Sequence, residues 1–136
     1  MRAGVIITDL QQVLVMRRYR SERGTYFTLI GGGAEDGESA EQAALREAKE
    51  ETDLDVTLGE SFTITNEFDQ REHTYFIVRE WRGTPRIVGE EAESGPDNEH
   101  ELVWMPIEHL RAYHVHPERA VERFLDLIGD DEEVIR

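Results

Sequence analysis

The chain has 136 residues, 38% hydrophobic and 33% charged, with no cysteine, a formal net charge of −15 and a pI near 4.6. That length suits a single domain with one substantial core, and the acidity argues against a grip on a nucleic acid polymer or an anionic membrane, both of which need clustered Lys and Arg. Without cysteine there are no disulfides and no thiolate chemistry, so a bound metal would be a hard, oxygen-liking ion, Mg²⁺ or Mn²⁺ first, or one held by histidines.

In chain order, Val5-Ile-Ile7 and Val13–Met16 are short β-branched and apolar runs around Thr8–Gln12, which predicts a hairpin. The N-terminus enters this strand without a charged-then-apolar leader, and no apolar run approaches membrane-spanning length, so a cytoplasmic protein is expected. The polar, arginine-rich Arg17–Gly24 predicts a loop, followed by a short strand over Tyr26–Ile30 and the glycines 31–33. Ser39 followed by Gln42 matches a capping box, predicting a helix to about Thr52. Strands are expected over Asp55–Thr65 and His73–Arg79, a turn at Arg82–Pro85, and an acidic loop over Gly89–Glu101. Leu102–Met105 reads as a last strand, and Pro106 opens a short helix toward Arg111. Pro117 opens a C-terminal helix whose buried face is Ala120, Val121, Phe124, Leu125 and Ile128. Strands interleaved with helices in this order predict an α/β fold: one domain over residues 1–136, with the Ser39 helix on one face of a mixed sheet, the C-terminal helix on the other, and a solvated acidic tail at about 130–136.

The most loaded stretch is Leu29–Leu54, where a glycine run precedes a helix carrying Glu47, Glu50 and Glu51. Spaced i, i+3 and i+4, these carboxylates form one stripe. As a solvent-facing stripe of an acidic protein it needs no explanation, since exposed like-charged pairs cost only about 0.2–0.5 kcal/mol. But helical arithmetic places it beside Ala40, Ala43, Ala44 and Leu54, on the face able to pack closely against a sheet. Shielded carboxylates about 5 Å apart would repel by roughly 3 kcal/mol at an effective dielectric near 20, and a divalent cation is their natural neutraliser. Leu45 falls on the far side, suggesting a helix covered on more than one face. Arg46 is placed to pair with Glu50 or a loop acid and hold the cluster in shape, with a plain surface ion pair as the alternative.

These residues closely resemble the Nudix family of diphosphate hydrolases, whose box runs Gly, five residues, Glu, seven residues, then Arg-Glu-hydrophobic-x-Glu-Glu-x-Gly-hydrophobic. Gly32, Glu38, Arg46-Glu47, Glu50-Glu51 and Leu54 stand in that register. Three positions depart from it: Asp53 replaces the glycine at the helix end, Ala48 is small where a bulky residue is usual, and Ile30 stands where proline commonly precedes the glycines. The resemblance implies an α/β/α sandwich and Mg²⁺ or Mn²⁺ bound by Glu47, Glu50 and Glu51 with a backbone carbonyl of Gly31 or Gly32. It also implies cleavage of a diphosphate linkage in a nucleoside di- or triphosphate derivative. A Nudix-fold module that binds a nucleotide without cleaving it is the competing reading, and a homodimer is left open. Arg46 stands with Glu47 and Glu50 in the catalytic unit. The general base is Glu47, Glu50 or an acid of the later loop, where Glu91, Glu93, Glu99 and Glu101 are candidates.

Further candidates lie outside the box. Arg17, Arg18, Arg20 and Arg23 stand where a loop would aim them at phosphates, Arg17 and Arg23 foremost. Tyr19, Tyr26, Phe68 and Trp81 are nucleobase-stacking candidates with core packing as the plainer alternative. His114 and His116 alternate like strand ligands, yet beside Pro117 they read as loop and helix-cap residues. His73 is either a substrate contact or a strand residue.

Overall fold

The structure, a computed structural model, describes residues 1–88, 95 and 97–129. Its strands are β1 (Arg2–Ile6), β2 (Thr8–Asp9), β3 (Gln12–Arg20), β4 (Gly24–Thr28), β5 (Ile30–Gly33), β6 (Asp55–Thr65), β7 (Glu72–Arg82) and β8 (Asn98–Pro106). Helix α1 spans Ala40–Thr52, a 3₁₀ turn Ile107–His109, and helix α2 Glu118–Gly129. The expected α/β layering is present, with strands in two four-stranded sheets. The first runs β5-β1-β7-β6 and is mixed, because β1 pairs parallel with β7 and antiparallel with β5. The second is antiparallel: β3 pairs with β8 on one side and with β2 and β4 on the other.

The chain changes sheets twice, and those crossings set the architecture. Between β1 and β2 it passes at Ile7, whose carbonyl accepts the Leu14 N–H at 2.9 Å, so the hairpin expected from Val5 and Val13 has β2 as its first arm. Leu10 and Gln11 make that turn with positive φ of 48° and 63°. The second crossing is at Leu29, so the strand expected over Tyr26–Ile30 is split between the sheets; the Leu29 N–H donates to the His116 carbonyl at 2.8 Å.

Alternation along β1 and β3 sends side chains to opposite faces and builds two cores. Ala3, Val5, Leu14 and Met16 pack with Ala43, Ala44 and Ala48 of α1. Ile6, Val13, Val15, Phe62 and Met105 pack with Ala120, Val121 and Phe124 of α2. The helices thus cover opposite faces, as the pattern predicted. Small side chains let α1 approach closely, and Ala48, fully buried, leaves no room for the bulky residue usual there. On the far side of α1 Leu45 is exposed, while Thr52, two turns on, is buried with its Oγ1 donating to the Ala48 carbonyl, so that side is covered only at the helix end.

Ser39 caps α1 as its sequence predicted: its Oγ accepts the Gln42 N–H at 3.1 Å, while Gln42 Oε1 accepts the Ser39 N–H at 2.9 Å. Such a cap contributes about 1 kcal/mol. At the other end Asp53 adopts the left-handed conformation, φ 61°, that glycine would take, with its N–H on the Lys49 carbonyl. Its carboxylate pairs with Arg86 and Lys49, which offsets the backbone cost.

Two stretches differ from expectation. Arg17–Arg20 continues β3, because β4 and β8 pair with its backbone on both sides and override the polar side chains. Asn98–Glu101 belongs to β8 and pairs with Arg17–Arg20, so Glu99 and Glu101 are strand residues. Glu91, Glu93 and the tail at 130–136 lie outside the described residues. No helix among the described residues is long and apolar enough to cross a membrane.

Candidate active site

A cleft of about 530 Å³ opens where the sheets diverge. Arg18 and Arg20 from β3 and Tyr26 and Thr28 from β4 form one wall; Arg2, His73 and Tyr75 from the mixed sheet, with Asn66 and Asp69 from the β6–β7 turn, form another. Glu47 and Glu51 reach in from α1 beside Gly31 and Gly32, and His116 and Pro117 complete the lining. Among these, Arg2, Thr28, Asn66, Asp69 and Tyr75 escaped the sequence reading. They come from distant segments, and the strand alternation that carries Arg18 and Arg20 inward was hidden by reading that stretch as a loop.

Glu47 and Glu51 are only 9% and 5% exposed. Their burial follows from the alanine face of α1 and from the bare backbone of Gly32: a Cβ there would stand 2.5 Å from Glu47 Oε1 and 2.6 Å from its Cδ. The absent side chain is therefore the space in which the Glu47 carboxylate sits. Gly32→Ala is expected to push that carboxylate out of place, lowering kcat at least ten-fold, while circular dichroism stays native because β5 is an edge strand of its sheet. Parallel assays and spectra of the purified variant check this.

Arg46 organises the rest of the box. Its Nε and Nη2 donate to Glu38 Oε2 and Oε1, both at 2.8 Å, and Nη2 also donates to the Gly33 carbonyl at 2.9 Å. Its Nη1 donates to Glu47 Oε1 at 2.9 Å and Glu50 Oε2 at 3.1 Å. One guanidinium thus ties β5, the loop before α1 and two box glutamates together, a fork that suits bidentate carboxylate contacts. The Arg46 hydrogen bonds, then the Glu35 N–H, pull the Glu38 carboxyl down from its ordinary 4.5 to about 2. Since the folded value is the lower one, the pair stabilises the protein fully above pH 4.5, and that contribution fades as pH falls from 4.5 toward about 2. NMR titration should show Glu38 moving back toward 4.5 in Arg46→Met.

The carboxylates fit a hard divalent cation in donor chemistry: Glu47 and Glu51, one helical turn apart, adjoin the Gly31–Gly32 backbone, and all these donors are oxygens. Among the described residues no three Asp, Glu or His side chains already converge into a ligand set. The reason is visible in Glu50, whose side chain is 57% exposed and engaged by Arg46.

The other sequence candidates fall in different places. Arg17 is not among the cleft-lining residues and stands 3.9 Å from Glu101. Arg23 lies over the Tyr26 ring, 3.8 Å from its centroid, at the cleft's edge. Glu99 is exposed and pairs with Tyr19, one step out of phase with the cleft-facing Arg18. Trp81 donates its Nε1–H to the Thr8 carbonyl and packs against Trp104, serving the core. Phe68 is exposed, its ring edge-on to His116. His114 pairs with Glu118 at 2.7 Å on the surface. Burial, then nearby Arg23, lowers the His116 pKa, so this imidazole is neutral at pH 7. Tyr75 lies against Gly4, and its burial raises the phenol pKa, keeping it protonated.

A NUDIX domain model matches residues 1–124. The chain belongs to the Nudix family. It is 38% identical over 84 residues to an 8-oxo-dGTP diphosphatase of Proteus vulgaris, a match covering 59% of this chain and 75% of that protein. Among solved structures, the E. coli ORF135 protein superposes with a TM-score of 0.75 at 24% identity, covering 97% of this chain and 92% of that one. A C. elegans Ap4A hydrolase superposes with a TM-score of 0.63 at 16% identity, covering 96% and 98%. At those identities the structural likeness speaks for the Nudix fold alone. The chain is thus a Nudix hydrolase, an enzyme of the pyrophosphatase type, and Nudix enzymes generally use divalent metal ions.

Proposed function

We propose that this Nudix hydrolase cleaves a nucleoside triphosphate, adding water across a phosphoanhydride bond to give the nucleoside monophosphate and pyrophosphate, in the cytoplasm and with Mg²⁺ or Mn²⁺. The observation that carries this reading is the pair of buried carboxylates, Glu47 and Glu51, facing a cleft that also presents Arg2, Arg18 and Arg20. Three arginines on the walls of a cleft whose acids Glu47 and Glu51 would be neutralised by a cation give a polyphosphate cationic partners in a chain of net charge −15. The diphosphatase of Proteus vulgaris supports a nucleoside triphosphate over other diphosphates.

In this reading Glu47 and Glu51 hold the ion with the Gly32 carbonyl. When bound, the ion offsets phosphate charge and polarises phosphorus toward attack. Arg18, steadied by its Nε–H bond to Thr28 Oγ1 at 3.1 Å, grips phosphate oxygens with Arg20 and Arg2. Glu50, tied to Glu47 through Arg46 and with a side chain 57% exposed, is the acid assigned to accept the proton of the attacking water, although it stands outside the cleft lining itself.

The test is a panel of nucleoside triphosphates, dinucleoside polyphosphates, ADP-ribose and coenzyme A, assayed for released phosphate and pyrophosphate. Turnover of triphosphates, dependent on Mg²⁺ or Mn²⁺ and stopped by a chelator, is expected. Tight nucleotide binding without turnover would instead identify a binding module.

A further inference from the structure

The cleft wall built by β7 and the turn before it carries a group that the hydrolysis above leaves unused. Asp69 sits in the turn between β6 and β7, lines the cleft, and has a side chain 37% exposed. Both of its oxygens are held: Oδ1 accepts the Arg71 N–H at 2.9 Å, and Oδ2 accepts from His73 Nε2 at 3.0 Å. The Arg71 N–H first, and His73 after it, lower the Asp69 pKa, so the group is a carboxylate at working pH. The turn is fixed by further bonds, from the Phe68 N–H to Asn66 Oδ1 and from the Gln70 N–H to the Asn66 carbonyl, both at 2.8 Å.

His73 is 3% exposed, and its Nδ1 is buried without a hydrogen-bond partner. An unsatisfied buried nitrogen costs on the order of 1–3 kcal/mol, so stability does not explain the residue. Its bond to Asp69 does: the imidazole fixes the direction of a carboxylate facing the cleft.

The position of that carboxylate narrows what it meets. His73 is in register with Arg2, and Arg2 with Gly33, so this wall stands two strand spacings, roughly 10 Å, from β5 beside the α1 carboxylates. A carboxylate there would repel phosphates and is suited to the other end of a nucleotide. It accepts hydrogen bonds and donates none, and its two protein contacts leave lone pairs for the ligand. We propose that Asp69, positioned by His73, selects nucleotides whose base carries an exocyclic amino group. This rests on the hydrolase reading and names its substrate preference. A ring N–H, as in inosine or uridine, and the ribose hydroxyls are the other donors a nucleoside presents, and the test separates them: preference for ITP over ATP and UTP over CTP would mark the ring N–H and overturn the assignment.

Asp69→Asn is the informative variant. With the Arg71 N–H holding the amide oxygen, its NH₂ would take the place of Oδ2, exchanging an acceptor for a donor at nearly constant shape. The measurement is kcat/KM for ATP against ITP and CTP against UTP, each with its 2′-deoxy counterpart. Wild type should favour the amino-bearing base by roughly ten-fold or more. Asp69→Asn should abolish or reverse that order through KM, and His73→Gln should weaken it. Uniform loss across all substrates in Asp69→Asn, or wild-type discrimination that follows the 2′-hydroxyl and not the base, would overturn the assignment. Should wild type hydrolyse none of them, the failure belongs to the hydrolase reading, and Kd values of the same nucleotides for wild type and Asp69→Asn decide this one by the same ratios.

Discussion

Glu51→Gln is expected to lower kcat by about 10²–10³-fold, the scale on which removing one well-placed electrostatic partner acts in other enzymes, without lowering the melting temperature of the metal-free protein. Glutamine keeps the volume of the side chain and its packing on the alanine face of α1, but it gives up the charge that draws a divalent ion into the cleft. Two nearly buried carboxylates a turn apart oppose each other when no cation is present, so neutralising one relieves the folded state. Activity and stability therefore move independently, which a merely structural glutamate would not produce. Glu41→Gln, on the exposed side of the same helix, provides the control and should leave kcat unchanged. Steady-state kinetics and thermal melts on the three proteins check the pattern.

Arg46→Met is expected to lower the melting temperature by roughly 5–10 °C, corresponding to about 2 kcal/mol, and to reduce kcat as well. The thioether roughly fills the space but drops all five hydrogen bonds, to Gly33, Glu38, Glu47 and Glu50. An exposed ion pair contributes at most about 1 kcal/mol, but this guanidinium is largely covered and closes β5 onto α1. Arg46→Lys should recover little, because a single ammonium cannot replace a planar fork aimed at four residues. A fall in melting temperature of only a degree or two would reduce Arg46 to an ordinary surface pair.

The box was legible because its constraints are local. A capping serine, a run of alanines and carboxylates one turn apart all act within one helix, and helical geometry alone places Glu47 and Glu51 on its buried face, whereas Glu50 of the same stripe is exposed and held by Arg46. Ser39, Ala43, Ala44 and the Glu47–Glu51 face stand as that arithmetic implies. The cleft around the box was less legible because it is assembled by pairing between distant strands. Arg17–Arg20 is polar enough to read as a loop, and only the presence of β4 and β8 on either side makes it a strand. Once it is a strand, alternation brings Arg18 and Arg20 to the cleft and turns Arg17 toward Glu101. Arg2, Asp69 and Tyr75 meet through the parallel pairing of β1 with β7, a contact between residues some 70 positions apart that no short-range pattern announces. The glycines conveyed a loop; that Gly32 makes the room for Glu47 follows only from where α1 docks.

The metal site on α1 is tested most directly by calorimetric titration of Mn²⁺ into the metal-free enzyme. Stoichiometric binding is expected, weakened by more than ten-fold in Glu51→Gln and retained in Glu41→Gln. The same isotherm in wild type and Glu51→Gln, or no binding in wild type, would contradict a catalytic cation held by Glu47 and Glu51.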